Sequence, residues 1–311
     1  MKNFEKDVVE MIPMPLAIGL MKEAFVQLSL GKAVVPLRST LVSENGSALF
    51  MPSYSPTWGL FGLKMVSVFP DNKAPVTVIQ GTMMVMDAKT GTPLATMDAA
   101  SVTALRTGAA SGLATDLLAS PDASVLVVFG TGAQAWTQTA AVLAVRPIKR
   151  VLVCGTSREK AIKFCDQIKI TYKVSSTPLV DPGELKQADV ICTATTSKVP
   201  LFSLQDLKPG VHINAVGAFR PDMRELGDDI IRHCKLIVDQ RDAILHEAGE
   251  VAIPVSEGKL SAYCIHAELG EVVDKKKSGR QSTEEITVFK SVGNAIQDLA
   301  IARHLIVGHV P

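Results

Sequence analysis

SVLVVFGTGAQA, residues 124–135, decides the fold. Its first half, SVLVVF, is a continuous apolar run, the pattern of a strand buried on both faces. An Ala-rich stretch at 133–145 follows with helical character. Between the two lies Gly130-Thr131-Gly132-Ala133-Gln134-Ala135, a GxGxxA turn placed where a strand hands over to a helix. Gly130 permits the tight turn. Gly132 lets the backbone at Ala133 and Gln134 approach a pyrophosphate at the helix N-terminus, and Ala135 lets helix and strand pack closely. The segment predicts a dinucleotide-binding loop.

Downstream the same alternation continues. RVLVCG at 150–155 reads as a second buried strand, 158–169 as a helix, and 190–194, 211–216 and 236–238 as further apolar runs. Strands alternating with helices predict a doubly wound parallel sheet of the α/β class. Ligands bind such sheets beyond the carboxyl ends of the strands. Ala194 and Val216, which close two of those runs, are expected cofactor contacts. The second strand ends at Cys154-Gly155, where an NAD site places an acid for the ribose hydroxyls. This sequence has Thr156-Ser157-Arg158 instead, two hydroxyls and a guanidinium suited to a 2′-phosphate. NADP(H) is expected in preference to NAD(H), which is the alternative; Arg158 would otherwise be a solvated first-turn residue.

Upstream, 14–30 recurs apolar at helical spacing and stops at Gly31. VVPLRSTLV, SALFMP, GLFGLKMVSVFP and VTVIQGTMMVMDAKTGTPLATMDA are β-rich runs divided by turns such as Glu44-Asn45-Gly46. They predict hairpins in a mixed or antiparallel sheet. A helix follows, capped by Asp98 or Ser101, with Val102, Leu105, Ala109, Leu113 and Leu117 as its apolar stripe. It ends at Ser120-Pro121-Asp122, which places a domain boundary near 120. SVGNAIQDLAIARHLIVG at the C-terminus reads as one long amphipathic helix.

The 311 residues are 47% hydrophobic, enough for a large core. Lys and Arg number 32 against 31 Asp and Glu, so no basic field exists to collect nucleic acid. No run of about 18 uncharged apolar residues predicts a membrane span. The five cysteines form no CxxC pair and read as reduced thiols of a cytoplasmic enzyme. The six histidines make no HExxH and no cluster with cysteine, so no metal is expected. Glu268, Glu271, Glu284 and Glu285 read as solvated acids, with a place in a cleft open for Glu268.

The ordered motifs VVPLRST, FMPSYS, GLKMVSVFP, ATMDAASVTALRTGAASGLAT, GTGAQA, KPGVHINAVGAFRPDMREL and ITVFKSVGNAIQDLA resemble those of the ornithine cyclodeaminase/mu-crystallin family over essentially the whole chain. The resemblance implies a Rossmann-type domain, 120–290, inserted into an α+β domain. That second domain comprises 1–119, completed by the C-terminal helix 291–311, and its sheet serves for dimerisation. It also implies hydride exchange between a nicotinamide and the α-carbon of an amino or imino acid. Arg38, Lys64 and Arg106 match the family's basic clamp for a substrate carboxylate. Arg38 and Lys64 lie within apolar runs, where a buried cation needs an anionic partner, and the substrate is a candidate for it. Arg106, with Thr107 beside it, is on the face of its helix away from Leu105 and Leu113. It is assigned to the carboxylate, the cofactor phosphates or both. Asp222, after the run at 211–216, is placed to handle a proton or hold the substrate nitrogen, with Lys64 as the second catalytic group. Its alternative is a helix-capping acid, because MRELGDDIIRH follows. Cyclodeaminases carry Glu just before the equivalent of Phe50-Met51-Pro52; here Ala48-Leu49 precede it, and a pocket lined by Leu49 and Phe50 disfavours a distal ammonium. The expected activity is an NADPH-dependent reduction of cyclic ketimines, pyrroline-2-carboxylate or piperideine-2-carboxylate, to proline or pipecolate by a homodimer. The alternatives are ornithine cyclodeamination, an alanine dehydrogenase-like oxidation, and mu-crystallin-like ligand binding without turnover.

Overall fold

The computed structural model describes residues 1–4 and 8–307; the last four positions of the expected C-terminal helix, 308–311, lie outside it. The chain divides into two compact units, Met1–Arg106 with the stretch from Asn294 onward, and Thr107–Gly293. The division falls inside a helix.

The first unit begins with β1 (Lys2–Phe4), α1 (Val8–Met11) and α2 (Met14–Ser29). Strands β2 (Ser39–Val42), β3 (Ser47–Ser55), β4 (Leu60–Val68), β5 (Ile79–Asp87) and β6 (Pro93–Asp98) follow, and then α3 (Ala99–Leu118). The sheet order is β1-β6-β5-β4-β3-β2, antiparallel except that β1 runs parallel to β6, hence mixed. On β4, Leu60, Gly62 and Lys64 are buried while Phe61, Leu63 and Met65 are exposed, the period-two signature of a sheet covered on one face. Asp98 accepts a hydrogen bond from the Ser101 amide at 2.6 Å at the head of α3. That helix has no solvent face through its middle: Ala104 to Thr115 are all buried. The single apolar stripe expected from the sequence is thus too narrow. Small residues, Ala and Gly, let the helix be packed all round.

The second unit contains β7 (Val125–Phe129), α4 (Ala133–Val145), β8 (Arg150–Cys154), α5 (Arg158–Tyr172), β9 (Ser175–Pro178), β10 (Val190–Thr193), β11 (His212–Ala215) and α6 (Asp228–His233). It continues with β12 (Lys235–Val238), α7 (Arg241–Glu247), α8 (Gly249–Ser256), β13 (Ile265–Glu268), α9 (Leu269–Val273) and β14 (Thr287–Lys290). The strands form one parallel sheet, β13-β12-β14-β11-β10-β7-β8-β9. Leu126 and Val128 enter one core while Val127 and Phe129 enter the other, which is why the run at 125–129 is apolar without alternation. The order reverses beside β7, the first strand of the unit, so the carboxyl ends of β7 and β10 form the switch point.

The last helix, α10 (Ala295–Val307), packs on α2 and on the sheet of the first unit. It starts later than the sequence suggested. Ser291, Val292 and Gly293 form a turn instead, because buried Asp239 accepts from the Ser291 hydroxyl (2.7 Å) and the amides of Val292 (3.0 Å) and Gly293 (2.6 Å). Among the described residues no helix is long and apolar enough to cross a membrane, and no group of three His, Cys, Asp or Glu side chains is placed to hold a metal ion.

Candidate functional site

In the first unit the chemistry gathers around one buried aspartate. Lys64, on the inward face of β4, is 1% exposed. Its ammonium donates to Asp298 Oδ1 at 3.0 Å and to Thr103 Oγ1 at 3.1 Å. Asp298 Oδ2 lies 2.9 Å from the same nitrogen, an ion contact without hydrogen-bond geometry. Arg106 donates from Nε to Asp298 Oδ1 at 3.2 Å and from Nη1 to Gln297 Oε1 at 2.9 Å. The anion expected beside Lys64 is therefore supplied by the chain itself, from α10. Burial pushes Lys64 down to a pKa of about 7; Asp298 opposes that shift, and the like charges of Arg106 and Arg38 reinforce it. Arg38 thus belongs to the same electrostatic neighbourhood, though not as expected. It is half-buried and precedes β2, whose four residues are all exposed. Arg106, expected on a polar helix face, is 4% exposed.

The polar residues at the start of α10 have no role predicted from the sequence alone. Asn294, just before the helix, and Gln297 and Asp298 in its first turn are spaced i, i+3 and i+4 among the apolar residues Ala295, Ile296, Leu299, Ala300 and Ile301. Three polar side chains on a buried face are the signal that finds them. Both amide atoms of Asn294 and Nε2 of Gln297 are buried without a partner. Leu49 shares the inward face of β3 with Met51, which pairs with Lys64 across the strands. Phe50 points to the opposite face, so of the two residues expected to line a pocket only Leu49 is on the side of Lys64.

In the second unit the glycine-rich turn has the geometry its sequence requires. Gly130 has φ 117°, and its amide donates to Cys154 O at 2.8 Å. A Cβ there would lie 2.6 Å from the Ala194 carbonyl, so no larger residue fits. Gly132 caps α4 with an ordinary φ of −95°, and a Cβ on it would meet nothing within 4 Å. Nothing in the chain itself demands that glycine. It leaves room before the free amides of the first turn of α4, around Ala133 and Gln134, and that room suits a pyrophosphate. Thr107 is buried, and its carbonyl accepts from Gln138 Nε2 of α4 at 3.2 Å. Ala194 and Val216 extend the ladders past β10 and β11, donating to Phe129 O (2.8 Å) and Thr193 O (3.0 Å). Thr156, Ser157 and Arg158 are exposed at the start of α5. The Ser157 hydroxyl accepts from the Lys160 amide at 3.3 Å, which leaves its own proton to donate.

Asp222 lies in the turn after β11, its side chain 51% exposed, paired with Lys198 (3.0 Å) and Arg220 (3.1 Å). It does not cap α6, whose N-cap is Gly227. The Lys198 hydrogen bond and the Arg220 charge hold its carboxyl below the usual carboxylate range. Beneath this turn lies Glu225, fully buried. Its carboxylate accepts from the Thr193 hydroxyl (2.8 Å), the Thr195 amide (2.7 Å) and the Gly217 amide (2.8 Å). It thereby ties the loop after β10 to the loop after β11. Lys290 donates to the Ala218 carbonyl at 2.6 Å and to Glu250 at 3.1 Å. Neither Glu225, Glu250 nor Lys290 was singled out from the sequence. Glu268, by contrast, is not a solvated acid: it accepts from the Arg241 amide at 2.8 Å, and burial raises its pKa.

The chain and its fold are similar to those of known proteins. The chain is 41% identical over 287 residues, 91% of its length and 88% of the relative's, to a Delta(1)-pyrroline-2-carboxylate reductase of Bacillus cereus. The Thermococcus litoralis Delta(1)-pyrroline-2-carboxylate reductase, solved with NADH and L-proline, superposes with a TM-score of 0.93 at 38% identity, covering 99% of this chain and 98% of that one. An archaeal alanine dehydrogenase dimer with bound NAD gives 0.93 at 35% identity, covering 99% and 95%. The model of one family matches residues 1–307, and the chain belongs to it: the ornithine cyclodeaminase/mu-crystallin family.

Proposed function

We propose that the protein is a nicotinamide-dependent reductase of cyclic ketimines, converting pyrroline-2-carboxylate or its six-membered homologue to the L-amino acid. The observation that carries this reading is the 41% identity, over nine-tenths of the chain, to a pyrroline-2-carboxylate reductase. The buried cations of the first unit and the open glycine turn of the second supply the two binding functions the reaction needs. When bound, the reduced nicotinamide supplies a hydride to the carbon of the C=N bond. Gly130, Gly132, Ala133 and Gln134 hold its pyrophosphate, with Thr107, Ala194 and Val216 along the same ligand. Arg38, Lys64 and Arg106 hold the substrate carboxylate. Asp222, ionised at neutral pH, stabilises the cationic iminium nitrogen rather than delivering a proton of its own. Hydride addition leaves a neutral secondary amine, which takes its proton from water. Leu49 offers no anion for the distal ammonium of ornithine, which favours net reduction over cyclodeamination.

The cofactor is NADPH in preference to NADH, supported by Thr156-Ser157-Arg158 at the position where NAD sites carry an acid. The test is a substrate panel followed at the nicotinamide absorbance. Steady oxidation of NADPH by pyrroline-2-carboxylate, with proline as product, is the expected result. Ammonia release from ornithine without net cofactor change would overturn the reading, as would tight cofactor binding without turnover of any imino acid.

A further inference from the structure

We propose that Asp298 is a positioning residue for the reduction: its carboxylate locks Lys64 and Arg106 together and keeps Lys64 charged, so that the substrate carboxylate meets a rigid pair of cations. This inference rests on the proposed function, in which Lys64 and Arg106 are carboxylate ligands. Three elements converge on one anion. Lys64 comes from β4, Arg106 from α3 and Asp298 from α10, with N–O distances of 2.9 to 3.2 Å. Asp298 is fully buried, and two further groups complete the frame: Thr103 Oγ1 accepts from Lys64, and Gln297 Oε1 accepts from Arg106.

The charges that face Lys64 are Asp298 from α10, Arg106 from α3 and Arg38 from the segment before β2. Its cross-strand neighbours, Met51 and Met83, carry none. Burial and two like charges therefore drive Lys64 toward the neutral amine, and Asp298 is the group that holds the proton on it. A neutral amine is a poor ligand for a carboxylate. Lys64 and Arg106 share the one aspartate, which leaves positive charge for an anionic ligand to neutralise. The start of α10 and the residue before it also bear the unpartnered Nε2 of Gln297 and amide of Asn294. Buried polar groups are ordinarily satisfied, so their presence here marks a face prepared for a polar ligand.

The test measures kcat/KM for pyrroline-2-carboxylate against pH in the wild type, Asp298→Asn, Asp298→Glu and Lys64→Arg. It is paired with a titration of Lys64 by NMR on lysine-labelled protein. In Asp298→Asn the basic limb moves to lower pH by at least about one unit, and KM above pH 7 rises about tenfold, with the cofactor KM unchanged. Asp298→Glu, which keeps the charge, returns the limb toward its wild-type position. The NMR midpoint of Lys64 moves with the limb and needs no turnover. A folded Asp298→Asn protein in which Lys64 titrates as in the wild type overturns the proposal. If that variant fails to fold, Lys64→Arg decides: a guanidinium does not titrate in this range, so the basic limb disappears, and its persistence overturns the proposal. Wild-type KM in Lys64→Ala and Arg106→Ala would instead overturn the clamp reading, while the NMR titration still tests what Asp298 does to Lys64.

Discussion

Single side chains carry the sharpest expectations. Removing Arg158 deletes one charge-assisted contact to a 2′-phosphate, worth about 1.5–3 kcal/mol. Arg158→Ala should raise the NADPH KM at least about tenfold and leave NADH nearly unaffected; equal effects on both cofactors would remove Arg158 from the site. Arg38 and Asp222 separate by kinetic signature. If Arg38 holds the carboxylate in ground and transition states alike, Arg38→Ala raises KM and spares kcat. Asp222→Asn should lower kcat by roughly 10²–10³-fold, the range for losing one electrostatic contact at the reacting centre. Because Gly227 caps α6, a capping role no longer competes for Asp222. Near-normal turnover would leave it as a surface partner of Lys198 and Arg220. His212 makes a different prediction. It is fully buried between Thr287 and Asn214, and burial pushes its pKa down to about 3. The unfolded chain, with an ordinary imidazole, binds more protons between there and about pH 6.5, so stability falls as the pH drops through that window. His212→Gln should flatten the acid side of a Tm-against-pH curve; an unchanged slope would assign the acid sensitivity elsewhere.

At the scale of elements, the glycine turn and α10 behave differently. The turn between β7 and α4 is determined locally: Gly130 has φ 117°, and a Cβ on it would come within 2.6 Å of the Ala194 carbonyl oxygen. Gly130→Ala forces strain of about 1–3 kcal/mol. That should lower Tm by roughly 2–10 °C. It should also weaken cofactor binding, read as a smaller rise in Tm on adding NADPH. A Tm and a cofactor response equal to wild type would show that the turn relaxes without loss. Helix α10 instead owes its meaning to what it lies against. Its sequence announces a helix, but the roles of Gln297 and Asp298 appear only once Lys64 and Arg106 are beside them.

For the whole molecule, assembly turns on the outward face of the first unit's sheet. Phe61, Leu63 and Met65 of β4 and Leu41 of β2 are exposed on it, a run of apolar side chains unusual on a monomer. The apolar face itself carries the expectation that a second copy of the chain covers it. Light scattering at micromolar concentration should give twice the chain mass, and Leu63→Asp should shift it toward the monomer. A monomeric mass for the unmodified protein would count against the dimer.

The doubly wound sheet and its glycine turn were legible in the sequence because they depend on short-range patterns. A strand buried on both faces must be apolar throughout, and a βα turn at a pyrophosphate must be Gly-rich. Lys64 could be recognised as a cation in an apolar strand, but not as the partner of Asp298, because 234 residues separate the two along the chain. Glu225 was hidden for the same reason. A buried carboxylate that ties two loops together looks, in one dimension, like any acid before a helix. Phe50 was misplaced by a register that only pairing sets. Once β3 pairs with β4, alternation sends Leu49 inward and Phe50 outward, and the strand expected around Arg38 begins only at Ser39. Local backbone and hydrophobic patterns were thus determined by the sequence itself. Which charges neutralise which was decided by tertiary structure, because electrostatic energy depends on distance in space and on burial, and neither is written along the chain.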